Sequence, residues 1–76
     1  MSTLLQNGDT DKIAELAHRI KGAARVVKGE QLVERCRQLE AACLDPQATF
    51  GQIQQAVEQV EGAINALEQA LLSLHD

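Results

Sequence analysis

A chain of 76 residues with a single aromatic side chain, Phe50, and a net charge of −4 is one small domain whose core must be aliphatic. No apolar run reaches the roughly 18 residues a membrane span needs, and there is no signal-peptide core, so no direct membrane contact is expected. The charge is unevenly spread: seven Lys and Arg stand against five acids up to Arg37, and beyond it come six acids and no Lys or Arg. A basic front of this kind suits an acidic protein surface. It is small and has no interleaved aromatic for base stacking, which argues against nucleic acid.

In chain order, Met1 to Gln6 contains Leu4 and Leu5, enough for a stub of helix (residues 1–6), and Asn7-Gly8-Asp9 is a turn signal. Asp9, Thr10 or Asp11 is placed to cap the next segment. That segment predicts a helix over about 11–28, because Ile13, Leu16, Ala17, Ile20, Ala24 and Val27 recur at spacings of three and four. Gly29 ends it. A helix over 30–44 follows, with Leu32, Cys36, Leu39 and Cys43 as its buried stripe and Glu34, Arg35, Arg37, Gln38 and Glu40 outside. Asp45-Pro46 stops it, since the residue before Pro is driven out of helical geometry. The two cysteines lie two turns apart, roughly 10 Å along the axis, too far for a mutual disulfide. No further ligands stand at metal-binding spacing, so they read as small buried apolar residues.

The last predicted helix, 47–74, carries Phe50, Ile53, Val57, Val60, Ile64, Leu67, Leu71 and Leu74 at unbroken alternate spacings of three and four. With Phe50 as position a, Ala56, Ala63 and Ala70 occupy the g positions and widen the apolar face. Such a face suits an antiparallel bundle better than a two-stranded zipper. Gly51 and Gly62 fall on the outer face, where no use for them is evident. The fold expected is therefore all-α, an up-and-down antiparallel bundle forming a single domain over residues 1–76.

The second segment holds the chemistry. His18 lies about 100° round the helix from Ala17, on the flank of the buried stripe. Lys21, Gly22 and Arg25, three, four and seven residues on, share its face. A helix-interior Gly costs about 1 kcal/mol relative to Ala, and clearance above His18 is the compensation that suggests itself. A neutral imidazole nitrogen is a good nucleophile toward an activated phosphoryl group and, in the right tautomer, needs no general base. Lys21 and Arg25 are placed to neutralise phosphoryl oxygens, and Glu15, three residues before His18, to orient the ring. Two basic neighbours, Arg19 and Lys28, extend the face toward a partner.

The run Ala17-His18-Arg19-Ile20-Lys21-Gly22-Ala23-Ala24-Arg25-Val26-Val27 resembles the signature of histidine phosphotransfer (HPt) domains, His-x-x-Lys-Gly followed by small residues and a further Gly. The resemblance continues through Leu32, Cys36, Leu39 and Glu40 and is greatest to the C-terminal modules of unorthodox hybrid sensor kinases. The later Gly usually lies ten residues after the His; here Lys28 holds that place and Gly29 follows. The resemblance implies a four-helix bundle whose first helix is mostly missing here. It also implies a phosphorelay function, with His18 accepting a phosphoryl group from a receiver-domain phospho-aspartate and passing it to another receiver aspartate. The partners implied are receiver domains of response regulators or of a hybrid kinase, in the cytoplasm.

No cofactor is expected on this chain; Mg²⁺ is expected in the receiver's acidic pocket. With no nucleotide loop, the chain reads as a phosphoryl carrier without autonomous catalysis, though a parent chain would be a kinase. No nucleophile-base-orienter set supports a hydrolase. A bundle short of one helix leaves an apolar groove, so a homodimer through the 50–74 helix is expected, with that helix packed on the side of the His18 helix away from the ring. The alternative function is a structural dimerisation module built on the same heptad face.

Overall fold

In the computed structural model, which describes residues 2–73, four helices and no strand are formed: α1 Ser2–Gln6, α2 Thr10–Val26, α3 Glu30–Leu44 and α4 Phe50–Ser73. Leu74 and His75 lie outside the described residues. Consecutive helices run antiparallel, making the expected up-and-down helical bundle, with α1 only five residues long.

Local chemistry sets each corner. α1 closes through bonds from Gly8 N–H to Leu5 O (3.2 Å) and Asp9 N–H to Leu4 O (3.0 Å), with Gly8 left-handed at φ +72°. This is the Schellman closure, which satisfies carbonyls at a helix end. Asp9 is then the N-cap of α2, but its side chain makes no capping bond. Acid in the first turn is supplied by Asp11, which favours the positive end of the helix dipole. α2 ends at Val26 rather than Lys28, because the chain turns left-handed at Lys28 (φ +58°). Here Lys28 N–H bonds Arg25 O and Gly29 N–H bonds Ala24 O, a second Schellman closure.

The helix expected from residue 47 begins only at Phe50. Gln47 N–H instead bonds Asp45 Oδ1 at 2.9 Å, an Asx turn. Thr49 and Gln52 then form a capping box, with Thr49 N–H to Gln52 Oε1 at 3.0 Å and Gln52 N–H to Thr49 Oγ1 at 3.2 Å.

The core is aliphatic. It joins Leu5, Ile13, Ala17 and Ala24 to Leu32, Cys36 and Leu39, and these to Ile53, Val57, Val60 and Ala63. Phe50 is 56% exposed, so the one aromatic contributes little to it. α3 is the central helix, with α2 along one flank and α4 along the other. The expectation that α4 packs on the back of α2 is thus corrected: α4 lies chiefly along α3, held in part by Arg35 Nη1 donating to Gln59 Oε1 at 3.4 Å.

The heptad stripe is consequently divided. Ile53, Val57 and Val60 are buried, whereas Phe50 and Leu71 are exposed and Ile64 and Leu67 half-buried; Leu72, outside the stripe, is exposed as well. Ile64 and Leu67 line an apolar cleft shared with Ile20, Ala23 and Val27 of α2. Gly29 fits tightly where α2, α3 and α4 meet: a Cβ there would lie 3.1 Å from Leu67 Cδ2.

Candidate functional site at His18

α2 turns Ile13, Ala17 and Ala24 into the core and carries His18 out on its flank, with the imidazole side chain 72% exposed. The ring is not alone. Its Nδ1 faces Glu40 of α3, with 3.8 Å to Oε2, while Lys21 Nζ stands 2.8 Å from the other oxygen, Oε1. The Lys21–Glu40 contact is a charge pair without the alignment of a hydrogen bond, and no hydrogen-bond donor meets Oε1. One carboxylate thus spans the α2–α3 seam and touches both basic groups.

This corrects two expectations. Glu40 belongs to the seam, with its side chain only 20% exposed, not to the outer face of α3. The reason is rotational: Glu40 lies one turn beyond the buried Cys36 and on the flank turned toward α2. Glu15, expected to orient His18, instead accepts from Arg19 Nη2 at 3.0 Å, an exposed i,i+4 pair of the kind worth a few tenths of a kcal/mol. The carboxylate that faces His18 Nδ1 is that of Glu40, not Glu15. Its position four residues after Cys36 places it beside the buried stripe, but that spacing does not say which neighbour it faces.

The cations divide as well. Lys21 is 13% exposed and paired with Glu40. Arg25 and Lys28 are exposed, pair with no acid among the described residues, and line a shallow pocket with Gly29, Glu30 and Val33 at the α2–α3 corner. Gly22 is exposed, and a Cβ on it would meet nothing within 4 Å, so the space beside His18 is open to a partner. Lys21, Gly22 and Arg25 are brought to the ring's face, Arg19 lies away on the Glu15 side, and Lys28 lies at the far corner.

Beneath the seam, burial pushes the Cys36 thiol above its ordinary range; Glu40 adds to the shift and Lys21 opposes it. Cys43 is likewise raised by burial, with a contribution from Asp11. Both are therefore poor nucleophiles. Among the described residues no three His, Cys, Asp or Glu side chains cluster as metal ligands, and no helix is long and apolar enough to cross a membrane.

What this arrangement offers is one accessible imidazole whose Nδ1 is turned to a carboxylate, leaving Nε2 on the far side of the ring. Cations stand beside it and open space lies above it. Residues 1–75 match the family model described as "Hpt domain". No curated protein and no solved structure matches the chain.

Proposed function

Because the chain belongs to the Hpt domain family, which carries out histidine phosphotransfer in phosphorelays together with receiver domains, we propose that His18 is its phosphoryl acceptor and Nε2 the attacking atom. The observation that carries this is the pairing of His18 Nδ1 with Glu40 on an otherwise exposed ring. A proton held on Nδ1 leaves the Nε2 lone pair free for the incoming phosphorus. Arg25 is the exposed cation on that face that pairs with no acid among the described residues, and Lys21 adds charge from the seam. Lys28 and Arg19 meet the partner's acidic rim. Gly22 supplies the clearance that lets a receiver close on the ring.

In this reading a phospho-aspartate of one receiver domain donates and an aspartate of another accepts. Positioning and charge stabilisation do most of the work. The Mg²⁺ such a transfer uses sits in the receiver's acidic pocket, and this chain is a carrier, not an independent catalyst. We place it in the cytoplasm, as the C-terminal module of a hybrid sensor kinase; the pattern Leu32, Cys36, Leu39 and Glu40 supports that placement. The chain also pairs with a second copy in this reading. Half of the heptad stripe is already used within the protomer, so the surface for pairing is the cleft of Ile20, Ala23, Val27, Ile64 and Leu67. Charge favours a second copy there, because α4 bears Glu58, Glu61 and Glu68 and no cation, and α2 is rich in cations. Family membership disfavours a purely structural dimerisation module.

The test is incubation with a phosphorylated receiver domain. An acid-labile, base-stable label on the wild type that disappears in His18→Gln, with the helical spectrum kept, is expected. Label retained in His18→Gln removes His18 from the role. Sedimentation at tens of micromolar tests the dimer independently, and a monomer throughout that range would refute it.

A further inference from the structure

We infer that two copies of this chain pair in parallel, about a two-fold axis running along the helices, with each copy's α2 packed on the other's α4 and both His18 faces turned outward. This deepens the pairing proposed above and rests on it.

The surface is the groove between α2 and α4, two parallel helices each packed chiefly on α3. Ile20, Ala23 and Val27 form one wall and Ile64 and Leu67 the other, and every side chain lining the groove is apolar. Its two outer edges are charged, and oppositely. Arg19 and Lys12, four and eleven residues before Ala23, share that residue's side of α2. Glu61 and Glu68, three before and four after Ile64, flank it on α4. All four are exposed. Arg19 donates to Glu15 on its own helix, which leaves other guanidinium donors for a second acid.

A two-fold axis allows two ways of joining such faces. An axis across the helices lays α2 on α2 and α4 on α4, antiparallel, with cation facing cation and acid facing acid. An axis along the helices lays α2 of each copy on α4 of the other, parallel, with cation facing acid. Like charges set against each other are costly, so charge selects the second. The heights agree with it: Ile20 and Ile64 line the same groove, and Arg19 and Glu61 each lie within a turn of them.

The end of α4 selects the same axis. Leu67 sits at the level of the α2–α3 corner, where a Cβ on Gly29 would lie 3.1 Å from its Cδ2. Leu71 and Leu72, a turn further on, therefore project past the ends of both neighbouring helices and are exposed. With the axis along the helices, the two projecting ends emerge side by side and cover each other's leucines. With the axis across, they emerge at opposite ends and stay in water. His18 lies about 140° round α2 from Ala23, so the pairing leaves both rings free, one on each outer side.

The experiment cross-links the full chain carrying Leu71→Cys with a short bismaleimide, beside the wild type and Gly62→Cys, whose thiol would lie on the outer face of α4. A covalent dimer from Leu71→Cys alone is expected. In sedimentation, Glu61→Lys with Glu68→Lys should weaken association about tenfold or more, and added salt should weaken the wild type. Phosphoramidate should label the cross-linked dimer, carrying His75→Gln as well, to one phosphoryl group per chain. A dimer in sedimentation that gives no Leu71→Cys cross-link overturns the parallel arrangement and leaves pairing itself intact. Undiminished association in the double lysine variant overturns it too, as does labelling of the cross-linked dimer at half the level of the free chain. A monomer at tens of micromolar overturns pairing and arrangement together and leaves the groove to a helix other than a second copy's.

Discussion

Lys28 occupies at the end of α2 the position that Gly8 occupies at the end of α1. Both are left-handed, at φ +58° and +72°, and both sit inside the same pair of closing hydrogen bonds. The left-handed conformation is free for Gly and costs roughly 1–2 kcal/mol for a residue with a Cβ. The Gly usual in this family ten residues after the His thus has a mechanical purpose, and this chain meets the same turn with a strained lysine. Lys28→Gly should raise stability by about 1 kcal/mol, read as a higher urea midpoint at unchanged slope. An unchanged or lower midpoint would mean that the turn relaxes when Lys28 is present.

The capping box at Thr49 and Gln52 is the only side-chain cap seen at the start of α2, α3 or α4, since Asp9 and Gly29 make none. Thr49→Ala should cost about 1 kcal/mol and fray the first turn of α4. Hydrogen exchange at Gln52 and Ile53 reports it directly, because their amides bond Thr49 Oγ1 and Thr49 O. Unaltered protection there would show that burial of Ile53 alone holds the turn.

Gly22 and Gly62 are both exposed on helices, with nothing within 4 Å of an added Cβ. Replacing either by Leu should stabilise its helix by somewhat under 1 kcal/mol. The difference lies in function. Gly22→Leu should slow phosphoryl transfer to His18 at least tenfold by filling the approach beside the ring, while Gly62→Leu leaves the rate as it was. Equal rates in the two variants would dissociate Gly22 from the partner's approach.

The thiols make stability fall in alkali. Their protonated forms are favoured in the folded state, so Cys36 and Cys43 lie above the ordinary value of 9.0. A group raised on folding contributes stability that is complete below its unfolded value and is lost as pH climbs through the folded one. Unfolding free energy should therefore decline above about pH 9, and less so in Cys36→Ala measured against its own neutral-pH value. At pH 8 both thiols should react with iodoacetamide much more slowly than in urea. Rapid labelling of the native chain would contradict the burial argument.

How much of this was legible beforehand differs by residue. His18, Lys21, Gly22 and Arg25 share a face through the α-helical repeat alone, a property of consecutive residues that needs no partner helix. The apolar spacings likewise determined where α2, α3 and α4 lie and which side of each turns inward. The start of α4 was also legible, as Thr49 with Gln52 three residues on and Phe50 opening the stripe; Gln47 follows the Asp45-Pro46 stop but belongs to the Asx turn, not to the helix.

Only the tertiary structure decided the rest. Whether Glu40 points to solvent or to His18 depends on the rotation of α3 against α2, which no spacing within α3 specifies. That same rotation takes Lys21 out of solvent. The division of the α4 stripe has a similar origin: an even heptad cannot say where its neighbour ends, and α3, at fifteen residues, is too short to cover the twenty-four of α4. Sequence periodicity specifies which residues of a helix turn together; packing between helices specifies what they turn toward.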